Sequence, residues 1–135
     1  MRGKSTVSTH RPRVLVVDDE AAVRELTIRA LDQAGFECSP TINGEQALKM
    51  LELRDYSVVI TRMPNVHGHA LAVELLAREN RPLIFVVTGV AEPKLAKDLL
   101  ARGVDDVFFK PVDHRMLAVK ISARLEQAPQ ASPSA

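Results

Sequence analysis

Tryptophan is absent from the 135 residues, and one tyrosine and four phenylalanines are the only aromatic rings, too few to line a flavin or nucleotide pocket. The single cysteine, Cys38, excludes an internal disulfide, and with four scattered histidines it makes no zinc-ligand spacing. Such usage predicts a reducing, cytoplasmic setting in which Cys38 packs as a small apolar group. No run approaches the roughly 18 apolar residues of a membrane span. The polar start from Met1 to Pro12 also lacks the apolar segment of a secretory signal. The six glycines form no phosphate-cradling loop.

Neither sign of charge is in excess, with 18 basic against 17 acidic side chains. Four of the bases, Arg2, Lys4, Arg11 and Arg13, precede the first acid, so residues 14–135 hold 14 bases against 17 acids and carry −3. Interspersed signs leave no cationic face for a nucleic-acid backbone. Neither a nucleic-acid nor a membrane partner is expected. Residues 1–12 read as a disordered basic leader and the proline-bearing residues 128–135 as a disordered tail, which leaves 13–127 as one domain.

Within that domain, the short apolar runs Val14–Val17, Phe36–Pro40, Tyr56–Thr61, Leu83–Val87 and Val104–Phe109 predict five strands. Helical patterns fill the gaps. The first puts Val23, Leu26, Ala30, Leu31 and Ala34 on one face, with Gly35 as its stop. The others fall near 45–54, 69–79, 92–102 and 113–127. Strands too apolar to face water on either side require helices on both faces. The right-handed crossover rule then gives an α/β fold, a three-layer doubly wound (βα)5 sandwich around a five-stranded parallel sheet. Ligands collect at the carboxyl ends of such strands, so the residues just past Val17, Thr61, Val87 and Phe109 should converge on one crevice.

Asp18, Asp19 and Glu20 follow the first strand. Two carboxylates about 4 Å apart repel by roughly 4 kcal/mol at an effective dielectric near 20, so the pair needs a cation, a proton or a basic side chain. Mg²⁺ answers that need; the plainer alternative is that one carboxylate caps the next helix, with Glu20 favoured by its dipole. The fourth strand ends in Thr88-Gly89 and the fifth in Lys110-Pro111. Singly, Thr88 reads as a turn residue, Lys110 as a solvated cation and Pro111 as a helix opener.

Together, these strand ends resemble the receiver domain of two-component response regulators. The matching pieces are V-L-V-V-D-D-E at 14–20, N-G-E-Q-A-L at 43–48, R-M-P-N-V-H-G at 62–68, V-V-T-G at 86–89 and F-F-K-P-V at 108–112. The resemblance covers about residues 13–127 and implies a CheY-like, flavodoxin-like fold. It further implies Mg²⁺ bound through Asp18 and Asp19, a switch hydroxyl at Thr88 and a phosphate-contacting amine at Lys110.

The departure falls at the centre of that chemistry. Receivers end their third strand in an aspartate that takes a phosphoryl group from a histidine kinase, in contexts such as D-x-R-M-P. Here the strand runs through Ile60 and Thr61 directly into Arg62-Met63-Pro64. Counted back from Pro64, Ile60 takes the acceptor place; counted forward from Gly44, the segment is about two residues short. Neither count supplies a carboxylate. The second keeps the strand uninterrupted and makes Arg62 the first side chain beyond it, facing the crevice. An arginine there pairs with carboxylates, so Arg62, with Lys110, is expected to neutralise Asp18 and Asp19 and to weaken or replace the metal. In addition, His67 stands where receivers usually carry an acid, and Val107 replaces an aromatic that couples the switch hydroxyl to the outer face. His67 and His69 lack a third metal ligand and read as a solvated loop.

The sequence therefore predicts a non-enzymatic, single-domain receiver-like protein of phosphorelay signalling, acting as a phosphorylation-independent pseudo-receiver. A phosphorylatable receiver with a substitute acceptor such as Thr61 is the alternative, and a flavodoxin-like enzyme a remote one. The resemblance places partners, among them histidine kinases, on the first helix. It places a second copy of the chain on the face bearing Lys94, Lys97, Asp98, Arg102, Asp105 and Asp106, which otherwise reads as ordinary charged surface.

Overall fold

The computed structural model describes residues 11–63, 66–88 and 93–127. Five strands, β1 (Arg13–Val17), β2 (Glu37–Thr41), β3 (Val58–Met63), β4 (Leu83–Thr88) and β5 (Asp106–Phe109), alternate with five helices. The helices are α1 (Ala21–Gln33), α2 (Gly44–Leu53), α3 (Val66–Leu76), α4 (Pro93–Arg102) and α5 (His114–Gln127). All four strand pairings are parallel, in the order β2-β1-β3-β4-β5. This is the doubly wound sandwich expected from the apolar runs. None of the described helices is long and apolar enough to cross a membrane.

Strand alternation divides the core in two. Leu15, Val59, Ile84 and Val86 face α2, α3 and α4, where Ala47, Leu71, Leu75 and Leu99 close over them. Val14, Val16, Val58, Ile60, Phe85 and Val87 face α1 and α5, against Leu31, Leu117 and Ile121. Both faces of the sheet are thus dry, which explains why its strands read as continuous apolar runs rather than alternating ones.

Local chemistry sets the helix ends. Gly35 and Gly103 take positive φ of 100° and 112°. After each, the chain closes a paired C-terminal motif: Phe36 N–H donates to the Leu31 carbonyl and Gly35 N–H to that of Asp32, with Val104 to Leu99 and Gly103 to Leu100 repeating it. Asn43 caps α2, its Oδ1 accepting from Gln46 N–H at 2.8 Å while Gln46 Oε1 accepts from Ile42 N–H at 2.9 Å. Asn43→Ala removes that reciprocal pair; a loss of about 1 kcal/mol and a fall in Tm of roughly 4 °C are expected in thermal unfolding followed by circular dichroism.

Several boundaries differ from the sequence reading. β3 starts at Val58 and runs on through Arg62 and Met63, because Arg62 and Met63 stay in register with Val87 and Thr88 of β4. Arg62 is therefore part of the strand rather than the first residue past it. Tyr56 precedes the strand and is buried, its hydroxyl 3.1 Å from Ser39 Oγ. α3 begins at Val66, so His67 and His69 are helical instead of lying on a loop; Gly68, a poor helix former, obscured that start. Their side chains lie outside the described residues.

Asp105 also leaves the charged surface to which it was assigned. Only 6% of its side chain is exposed. Oδ2 accepts from Ile84 N–H at 2.8 Å and from Arg81 at 3.1 Å, and Oδ1 from Arg124 at 2.7 Å. This carboxylate ties the start of β4 to α5. At the edges of the sheet stand β2, which carries Pro40, and the four-residue β5.

Candidate functional site

In the strand order β2-β1-β3-β4-β5, successive connections run in opposite directions from β1 and β3, which opens a crevice beyond their carboxyl ends. Val17 and Thr61 are partners in register, so the next residues, Asp18 and Arg62, emerge side by side. Asp18 is 7% exposed, its N–H bonded to the Thr41 carbonyl and its Oδ1 accepting from Glu20 N–H at 2.9 Å.

Arg62 joins all three acids through one nitrogen. Its Nη1 is 2.6 Å from Glu20 Oε1, 3.4 Å from Asp18 Oδ1 and 3.6 Å from Asp19 Oδ1. Burial works against the guanidinium charge, but the hydrogen bond to Glu20 and the field of Asp18 outweigh it and raise the Arg62 pKa above its ordinary value. The shortest contact is thus to Glu20, not to the Asp18–Asp19 pair that the sequence singled out. Glu20 occupies the N-cap position of α1 without a side-chain capping bond, its carboxylate being turned to Arg62 instead. A second cation was missed as well: Arg24, one turn into α1, donates to the Asp18 carbonyl at 2.7 Å.

Lys110 is not a partner of these acids; among the described residues it makes no ion pair. Its N–H donates to the Thr88 carbonyl at 2.9 Å, which fastens β5 to the end of β4, and the following Lys110–Pro111 bond is cis. Asp18, Arg62 and Lys110 line one cavity of about 220 Å³ on the α1/α5 side. Thr61 and Thr88 do not line it. By alternation both stand on the opposite face, with Val59 and Val86. Thr61 is fully buried and its Oγ1 has no hydrogen-bond partner, a position closed to an incoming phosphoryl donor. Ile60 is packed in the α1/α5 core, and Val107 against the α2–α4 core.

The donor set does not fit Mg²⁺. A hard divalent ion takes oxygen ligands, with carboxylates at short range, whereas here the guanidinium stands among the acids and Asp18 is already bonded to it. No group of three or more His, Cys, Asp or Glu side chains among the described residues is placed to hold a metal. Cys38 offers no nucleophile: burial, then the field of Asp32, push its thiol up to about 11.

A family model described as the response regulator receiver domain matches residues 14–122. The chain belongs to this family. The receiver is 30% identical over 112 residues to a cyclic di-GMP phosphodiesterase of Thermotoga maritima, covering 83% of this chain and 30% of that protein. It is 34% identical over 124 residues to the CAI-1 autoinducer sensor kinase/phosphatase CqsS of Vibrio cholerae, covering 86% and 18%. It therefore spans less than a third of either relative. A CheY-like receiver domain protein from Methanospirillum hungatei superposes with a TM-score of 0.79 at 25% identity, covering 87% of this chain and 96% of that one. The receiver domain of a LuxO-type repressor from Vibrio parahaemolyticus, at 20% identity and a TM-score of 0.80, shares the fold. Receivers of this class are signalling modules of two-component systems, working through contacts rather than turnover.

Proposed function

We propose that this receiver is a phosphorylation-independent pseudo-receiver, a protein-interaction module of two-component signalling in the cytoplasm. The observation that carries the proposal is Arg62, a fixed positive charge at the end of β3 held by Asp18, Asp19 and Glu20. A guanidinium supplies no carboxylate to accept a phosphoryl group, and it meets the need of the acids for a counter-charge that a metal would otherwise fill.

Partners then recognise a standing surface. α1 is one candidate, with Leu26 half exposed on it. For pairing between copies, the charged face retains Lys94, Lys97 and Asp106, together with the Asp98–Arg102 pair at 2.9 Å, but not the buried Asp105.

Intact mass after incubation with acetyl phosphate tests the proposal. No added phosphoryl mass is expected with or without Mg²⁺, while a phosphorylatable receiver treated in parallel gains one group. A Mg²⁺-dependent gain on this chain would overturn it.

A further inference from the structure

The cavity beside Arg62 is not explained by an ion-pair cluster alone. Its volume is about 220 Å³ and it is partly open to solvent; an engineered apolar cavity of roughly 150 Å³ already admits benzene. The wall is mostly apolar, with Val23 of α1, Ile60 of β3, Val87 of β4 and Leu117 of α5 meeting around it. A single ring with a short substituent fits that space.

Among the described residues, Asp18, Thr27, Arg62, Lys110 and His114 bring polar groups to the wall. Thr27 is satisfied, its hydroxyl donating to the Val23 carbonyl at 3.0 Å. Arg62 commits Nη1 to the acids and has its Nε sealed from solvent. Asp18 differs. Its side chain is more than nine-tenths buried, and Oδ1 accepts from Glu20 N–H and Arg62. Oδ2 has no partner, yet it is not sealed, so it meets solvent in the cavity that Asp18 lines. A carboxylate oxygen so placed in an apolar wall calls for a donor. Charge narrows the choice of guest. An anion would have to shed its water and face Asp18, while an ammonium would shed its water beside a carboxylate that Arg62 already neutralises. A neutral molecule with one donor avoids both costs.

We infer that this cavity binds a small neutral ring compound bearing one hydroxyl, the hydroxyl donating to Asp18 Oδ2 and the ring lying among Val23, Ile60, Val87 and Leu117. The site goes beyond the pseudo-receiver reading and stands apart from it: neither the cavity nor the free oxygen depends on whether the chain takes up a phosphoryl group.

The test is a ¹H–¹⁵N NMR titration of the full chain at neutral pH with four ring compounds. Phenol, which ionises only near pH 10 and so enters neutral, is the probe; anisole replaces its hydroxyl proton with methyl, and benzoate and benzylammonium carry the two charges. Saturable shifts at the Val17, Ile60, Val87 and Leu117 amides are expected with phenol, at a Kd of about 1 mM or tighter, and at least about fivefold weaker binding with anisole. Neither ion should saturate below about 10 mM. Asp18→Asn, which exchanges the carboxylate for a weaker acceptor, should bring phenol to within about twofold of anisole. Val23→Phe, which fills the cavity from α1, should abolish binding of both; the comparison of ligands on the parent chain carries the test if that variant does not fold. Absence of saturable phenol shifts up to about 10 mM, or shifts confined elsewhere, would overturn the site. Equal affinity for phenol and anisole, an undiminished difference in Asp18→Asn, or an ion binding as tightly as phenol would each overturn the assignment of a neutral donor to Asp18.

Discussion

Arg62→Asp is expected to bind Mg²⁺ at least about a hundredfold more tightly than the parent chain, with Arg62→Ala between them. In the parent, an entering dication must displace a guanidinium 2.6 Å from Glu20 and within 3.6 Å of Asp18 and Asp19. The aspartate variant removes that charge and adds a carboxylate at the β3 position that follows the Val17–Thr61 pair. Two unit charges 4 Å apart interact by about 4 kcal/mol at an effective dielectric of 20. A hundredfold gain needs only about 2.7 kcal/mol, which leaves room for solvent screening around the exposed Asp19 and Glu20. Isothermal titration calorimetry at neutral pH and moderate salt reads the difference. Equal affinities in parent and variant would mean that Arg62 is not what keeps the metal out.

Asp105→Ala should cost about 3 kcal/mol and lower Tm by roughly 12 °C. The carboxylate is almost wholly buried, accepts a backbone hydrogen bond from Ile84 and pairs with Arg81 and Arg124. Its removal leaves the Ile84 N–H without its acceptor at the start of a central strand and two guanidiniums facing each other. Asp105→Asn should recover part of the loss, because an amide oxygen still accepts from Ile84. A thermal melt of the three proteins decides; an alanine variant within about 1 °C of the parent would show that the clasp is ornamental to stability.

Where patterns are local, the sequence was legible. Five apolar runs and Gly35 as the stop of α1 needed only neighbours along the chain, and each stands where expected to within two or three residues. β3 was harder. Tyr56 looks like strand by composition, yet it is a loop residue turned inward, and Arg62 looks like an end although pairing with β4 carries the strand past it. Asp105 shows the same limit. Its partners lie 24 and 19 residues away, and no local signal separates it from Asp106, whose carboxylate merely accepts from Val107 N–H. Around the site, the acid triplet and Arg62 were legible as a group, but not the division of labour among them. That Glu20 holds the shortest contact follows from the backbone turn in which Asp18 Oδ1 accepts from Glu20 N–H, and no spacing rule announces it. Lys110 was misjudged because both ends of the argument were charges, whereas its placement is set by β5 pairing to β4 and the turn after it.

The margins of the sheet have a consequence for handling the protein. Strand margins are where one folded molecule can template another, by offering unpaired N–H and C=O groups to a neighbour. On one side, Pro40 interrupts the row of donors in β2; on the other, β5 offers four residues, the first an aspartate. Among the described residues, fibrillar growth from the native state therefore has no long docking rail on either flank. Concentrated solutions of the kind that ligand titrations demand are protected by the outline of the sheet itself, independently of what the crevice holds.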